Sequence, residues 1–112
     1  MLKKKHRLAK DSAVKTALKT GRGFFNSDLS VRFLASAQPR FTVVVSTKVD
    51  KRAVKRNRLK RIFREYIKTN FADFRPGDYV IILKPLTSKK PETEILKNFQ
   101  DCLISKWKLL KK

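Results

Sequence analysis

Apolar residues recur along this chain first at a helical spacing, then at a spacing of two, then at a helical spacing again, and these changes divide it into elements. Val14, Ala17 and Leu18 share one face of a short helix predicted over 12–20, with Asp11 or Ser12 as its cap and Gly21 as its stop. Gly21-Arg22-Gly23 reads as a turn. From Leu29 the period is two, with Leu29, Val31 and Phe33 alternating against Ser30 and Arg32, the pattern of a strand buried on one face. After a loop at 35–39, Phe41, Val43 and Val45 repeat that pattern, which predicts a hairpin of the two strands. Leu59, Ile62, Phe63, Tyr66 and Ile67 then fall at i, i+3, i+4, i+7 and i+8, one stripe of an amphipathic helix over 52–70. Arg75-Pro76-Gly77-Asp78 is a turn signal, and the continuous apolar run 79–83 reads as a more deeply buried strand ended by Pro85. Following a loop at 85–90, Pro91 with Glu92 and Glu94 opens a last helix, because proline fits a first turn and acids favour the positive end of the helix dipole. Ile95, Leu96, Phe99, Cys102 and Leu103 form its buried face.

The order α-β-β-α-β-α predicts an α+β or split βαβ arrangement, a small sheet packed with helices. If the second and third of these strands lie parallel, the helix over 52–70 is the crossover between them. With 112 residues, 41% of them hydrophobic, the chain has material for one modest core and so for a single domain over 1–112. Its basic start, 1–10, and its basic end, 108–112, are expected to be mobile.

Charge changes the picture from fold to partner. Lysine and arginine number 29 against 9 acids, a net charge of +20, and such a field attracts polyanions. Nucleic acid, an anionic membrane and an acidic protein are the candidates. The basic start runs into a polar segment with no apolar stretch of signal-peptide length, and no run of apolar residues is long enough to span a bilayer. A cytoplasmic location without membrane contact is therefore expected. The single cysteine, Cys102, fits a reducing compartment and reads as an apolar filler on the last helix.

The charge is concentrated. From 51 to 64 the sequence is KRAVKRNRLKRIFR, eight basic residues in fourteen with no acid among them. An ordinary solvated helix face mixes signs, because like charges at i, i+4 repel. On a helical projection Asn57, Arg61, Arg64 and Lys68 lie opposite the apolar stripe, with Arg56, Arg58 and Lys60 on its flanks, and Arg52 and Lys55 lead into the same surface. Five of the eight are arginines, whose planar fork matches two phosphate oxygens. Asn57 reads either as a contact to a base edge or sugar, or as support for a neighbouring arginine. The basic clusters Lys3, Lys4, Lys5 and Arg7, and Lys106, Lys108, Lys111 and Lys112, could extend the footprint. Phe24 and Phe25 follow the glycine turn, where an exposed ring could stack on a base, although two adjacent phenylalanines usually send one into the core. Phe33, Phe41, Phe63, Phe99 and Trp107 read as core or docking contacts.

Catalytic chemistry is missing from the sequence. The one histidine, His6, has no visible partner and reads as solvated or phosphate-contacting, and the acids are scattered singly apart from Glu92 and Glu94, whose place at a helix start explains them. No catalytic or metal-ligating residue, and no bound cofactor, is expected on this chain. No phosphate-binding glycine loop, dinucleotide fingerprint or zinc spacing occurs.

The stretch from 46 to 64, STKVDKRAVKRNRLKRIFR, closely resembles the signature of the bacterial ribonuclease P protein subunit, with Arg56-Asn57-Arg58-Leu59-Lys60-Arg61 supplying its core. The basic start, the short first helix ending at glycine and the strand beginning Asp78-Tyr79-Val80-Ile81-Ile82 extend the likeness over most of the chain. The resemblance implies a ribonucleoprotein endonuclease that removes the 5′ leader of precursor tRNA, with RNA as the catalyst and magnesium held mainly by RNA. It implies that Arg56, Asn57, Arg58, Lys60, Arg61 and Arg64 face the catalytic RNA, and that a cleft lined by Val14, Leu18 and strand residues near Ser30 and Arg32 holds the leader, with the protein a monomer within the particle. It also implies a left-handed crossover between the parallel strands, against the usual right-handed rule. Val14 and Leu18 depart from the family in being aliphatic at often-aromatic positions, which bears on leader affinity; Phe24 or Phe25 could supply the missing ring. Two further classes fit the size and charge. A ribosomal or ribosome-assembly protein would bind RNA without affecting leader cleavage, and a transcription factor would lay the basic helix in a DNA major groove, although here that helix follows a strand and not a partner helix.

Overall fold

The computed structural model describes residues 11–85 and 90–110, and side chains from residue 14 onward. Three helices and four strands follow in the order α1 (Asp11–Thr20), β1 (Arg22–Phe25), β2 (Leu29–Ala35), β3 (Arg40–Val44), α2 (Ala53–Thr69), β4 (Gly77–Leu83) and α3 (Glu92–Asp101). The side chains of Asp11 and Ser12, the expected caps, lie outside the description, as do residues 1–10 with His6 and the first basic cluster.

The sheet order is β1-β2-β4-β3. β2 and β3 therefore do not form the expected hairpin: β4 lies between them, antiparallel to β2 and parallel to β3. Burial decides this. β2 and β3 alternate buried and accessible residues, whereas six of the seven residues of β4 are buried. A strand apolar on both faces gains most from a central place, where both faces are covered. The parallel pairing makes α2 the crossover between β3 and β4. An ion pair at the start of that pairing helps to fix it: Arg40 and Asp78 are cross-strand partners, and the guanidinium grips the buried carboxylate through Nε and Nη2, both at 2.9 Å.

Strand alternation gives the sheet two faces. One carries Leu29, Val31, Phe33, Phe41, Val43, Tyr79, Ile81 and Leu83 into the main core with Leu59, Phe63 and Ile67 of α2 and Ile95 and Phe99 of α3. On the other, α1 seals Val80 beneath Ala17, with Val14, Leu34 and Ile82 partly buried around them. After α3 the chain makes a wider turn, Cys102–Lys106, in which the Trp107 N–H reaches back to the Cys102 carbonyl at 2.7 Å. Cys102 is buried, as expected of a filler. Leu109 and Leu110 are buried as well, Leu110 bridging to Phe74. The segment expected to trail off at 108 is thus docked through residue 110, because two consecutive leucines close the core; Lys111 and Lys112 lie outside the described residues.

Candidate nucleic-acid interface

The α2 face is built by its own periodicity. Leu59, Phe63 and Ile67 turn inward, so Asn57, Arg61 and Lys68 are held out in solvent and Lys60 and Arg64 are half-buried at the edges. No ion pair forms on Lys60, Arg61, Arg64 or Lys68 among the described residues. Their charge is available to a partner.

The segment's other three arginines, Arg52, Arg56 and Arg58, are already engaged within the protein. Asp50 accepts the Arg52 backbone N–H at 2.9 Å and its guanidinium at 3.1 Å on each carboxylate oxygen. The Arg52 hydrogen bonds hold the Asp50 carboxyl at about 2, well below the usual range, and Lys55 adds to the effect. Arg56 sits at the buried edge of the stripe, and its Nη1 donates to the Asp50 and Lys51 carbonyls at 3.1 and 2.9 Å, so it clasps the loop that enters α2. Arg58 pairs with Glu92 across the α2–α3 gap at 2.8 Å. Asn57 is exposed, and its side chain makes no hydrogen bond to a neighbouring arginine among the described residues. An aspartate two residues before Arg52 was a legible signal for the loop, but the Glu92 contact joins residues 34 apart in sequence.

The second candidate surface is the α1 face of the sheet. Phe25 lies opposite Ser30 in the β1–β2 register, and Gly23 opposite Arg32, so Phe25, Ser30 and Arg32 share this face with Val14 and Leu18. Phe25 is 74% exposed, with the Lys84 ammonium 5.4 Å from its ring centroid. Phe24, expected as a possible cleft residue, is on the other face. It lies opposite Val31 and packs on Trp107 with ring centroids 5.9 Å apart, so alternation excludes it from the cleft. Arg32 reaches back to the Gly21 carbonyl at 3.4 Å.

No group of three His, Cys, Asp or Glu that could hold a metal forms among the described residues, and no described helix is long and apolar enough to cross a membrane.

A sheet packed with helices, whose crossover helix is densely cationic from Lys55 to Arg64, defines a small RNA-binding α+β protein. A family model described as Ribonuclease P matches residues 2–106, and the chain belongs to the ribonuclease P protein family. It is 31% identical over 100 residues to the ribonuclease P protein component of an Exiguobacterium species, covering 88% of each chain. Over 90 residues it is 33% identical to the corresponding protein of Xylella fastidiosa, covering 80% of this chain and 67% of that one. The solved RNase P protein of Staphylococcus aureus superposes with a TM-score of 0.83 at 24% identity, covering 90% of this chain and 95% of that one. That of Thermotoga maritima gives 0.76 at 25% identity, with 87% and 94% covered. The family consists of protein components of an endoribonuclease, and its partner is the ribonuclease P RNA. The ribosomal and transcription-factor readings are not favoured.

Proposed function

We propose that this protein docks on ribonuclease P RNA through the α2 face, residues Arg52, Lys55, Arg56, Asn57, Arg58, Lys60, Arg61, Arg64 and Lys68, and assists RNA-catalysed removal of the 5′ leader from precursor tRNA. The observation that carries this is the run of cations with no ion pair among the described residues, Lys60, Arg61, Arg64 and Lys68, beside arginines already oriented by Asp50 and Glu92. Phosphates that bind there displace condensed counterions, so log affinity falls with log salt by about 0.7–0.9 per phosphate contact. By neutralising phosphate, the protein lowers the magnesium that the RNA needs to fold and react. The magnesium itself is assigned to the RNA in this reading.

The leader is assigned to the α1 face. Val14 and Leu18 offer aliphatic contact only, and Phe25 is the exposed ring beside Ser30 and Arg32 that can stack on a base. In this reading the protein acts in the cytoplasm as a single copy within the particle, consistent with its free Cys102.

The test is cleavage of a labelled precursor tRNA by ribonuclease P RNA from the same organism at low magnesium. Release of the correct leader only when the protein is added is the expected result. RNA binding without stimulation would overturn the reading.

A further inference from the structure

The surface between α2 and α3 is hollow, and the expectations drawn from the sequence leave this groove without a use. At the start of α2 a cavity of about 660 Å³ is lined by Val54, Asn57, Arg58, Arg61, Ile62 and Glu92. A second, of about 340 Å³, shares Arg61 and Ile62 with it and adds Tyr66, Asn70 and Leu96. Both are open to solvent along the seam between the helices.

Three properties of the lining describe what would fill it. Its walls are apolar: Val54 is 83% exposed in the middle of the most basic segment, and Ile62 and Leu96 are left half-covered. Tyr66, which lines the second cavity, carries a polar group that lacks a partner. The Tyr66 hydroxyl is buried and makes no hydrogen bond among the described residues, a state that folded proteins seldom leave uncompensated. Burial, with Asp101 nearby, raises this phenol to about 12, so at neutral pH it carries its proton and can donate. Finally, its rim is cationic. Arg61 borders both cavities without an ion pair among the described residues, and Arg58 neutralises Glu92 at 2.8 Å, leaving Glu65 as the other acid among the lining residues.

A nucleotide joins an apolar ring face, a hydrogen-bonding edge and an anionic phosphate in one unit. Only an unpaired nucleotide has its Watson–Crick edge and its ring faces free together. We propose that the α2–α3 groove receives one unpaired nucleotide of the RNA that docks on α2, its base between Ile62 and Leu96, an edge acceptor on the Tyr66 hydroxyl, and its phosphate on Arg61. This rests on the reading that α2 is the RNA-docking face, and it adds shape recognition to what would otherwise be phosphate attraction alone.

The full-length protein and the ribonuclease P RNA from the same organism provide the test, with affinity and base-methylation footprints measured together. Tyr66→Phe removes a hydroxyl that has no partner in the free protein, so the variant should melt no lower than wild type. It should nevertheless bind the RNA about five- to tenfold more weakly, as loss of a buried hydrogen bond predicts. Leu96→Glu, its fold checked by circular dichroism, should weaken binding further. One or two unpaired bases should be protected by the wild type and exposed with either variant. Arg64→Ala combined with Lys68→Ala, two cations of the docking face that line neither cavity, separates the two readings. If that double variant weakens binding while Tyr66→Phe and Leu96→Glu leave affinity and footprint unchanged, the docking face stands and the groove serves some other occupant, such as a protein segment. If none of the variants changes binding, both readings fall.

Discussion

Asp28 is only 1% exposed, and both of its carboxylate oxygens have donors: Lys90 Nζ at 2.5 Å on one and Asn98 Nδ2 at 3.2 Å on the other. It ties the turn after β1 to α3 and to the residues just before it. Removing one partner of a buried pair costs about 3–5 kcal/mol, but the Lys90 side chain is 33% exposed and water takes over part of its solvation. Asp28→Ala should therefore destabilise by about 2–3 kcal/mol in urea unfolding. A loss below about 0.5 kcal/mol, the usual size of a surface change, would mean that this contact does not hold the turn. The two tyrosines of the chain give a second test at this scale. Burial pushes Tyr66 up to about 12 and Tyr79 higher still, the latter with its hydroxyl donating to the Arg75 carbonyl at 2.6 Å. A phenol raised in the folded state contributes stability that is complete below its ordinary value, about 10, and is lost as pH rises through the folded one. Lys90, raised by its hydrogen bond to Asp28, acts in the same direction from its ordinary value of 10.5 upward. Tyrosinate absorbance should thus stay low in the folded protein at pH 10.5, where the urea-unfolded chain ionises more than half its tyrosines, and stability should fall between pH 10 and 12. Equal titration of the folded and unfolded chains would refute the burial of both rings.

At the scale of elements, α2 performs two tasks with different residues. Phe63, 1% exposed and packed on Phe99 with ring centroids 5.4 Å apart, anchors it; Phe63→Ala should cost about 3–5 kcal/mol. Arg56 and Arg61 are both motif arginines, yet only Arg56 holds its own protein together. Arg56→Ala should lower stability by about 1 kcal/mol, through the two carbonyls it leaves, and weaken RNA binding as well. Arg61→Ala should weaken RNA binding with stability unchanged within about 0.5 kcal/mol. Thermal melts and filter-binding isotherms on the two variants distinguish these outcomes; identical profiles would deny the division of labour. Element types were legible in the sequence because the periods of Leu59–Ile67 and Leu29–Phe33 are set by local geometry. Strand order was not, because the β2–β4 and β3–β4 pairings join residues dozens of positions apart, and a four-residue connection looks the same whether it closes a hairpin or steps across a vacant strand position. The clue lay in β4 itself: a run without alternation belongs between two neighbours. β1 escaped for a related reason, since four residues beginning Arg-Gly show no period, and its alternation appears only once the Phe24–Val31 and Phe25–Ser30 pairs are known. The motif face was legible residue by residue, and Asp50 lay within local reach of Arg52, whereas the partner Glu92, and the groove that it helps to form, depended on the packing of α3.

For the molecule as a whole, charge opposes folding and favours binding. Only 9 acids face 29 basic residues, and several of those acids are committed to single contacts, Asp28 to Lys90, Asp78 to Arg40, Asp50 to Arg52 and Glu92 to Arg58. The remaining cations repel one another across a small domain, and that repulsion is reduced when ions screen it, the Debye length falling from about 30 Å at 0.01 M to about 10 Å at 0.1 M. The free protein should therefore melt at a higher temperature as salt is raised over this range, the reverse of what a fold held by surface ion pairs would do. RNA affinity should move the opposite way, since the counterions released on docking must be released into a more concentrated solution. The two salt responses share a cause but not a location. Replacing both Arg61 and Arg64 with alanine should reduce the salt slope of RNA binding by roughly 1.4–1.8, about 0.7–0.9 for each phosphate no longer neutralised. It should relieve only a small part of the repulsion in the free protein, because two charges of twenty are removed. Calorimetric melting temperatures and binding isotherms across a salt series, on wild type and the double variant, test this directly. A binding slope unchanged by the double substitution would move the phosphate contacts off α2 and onto the rest of the cationic surface.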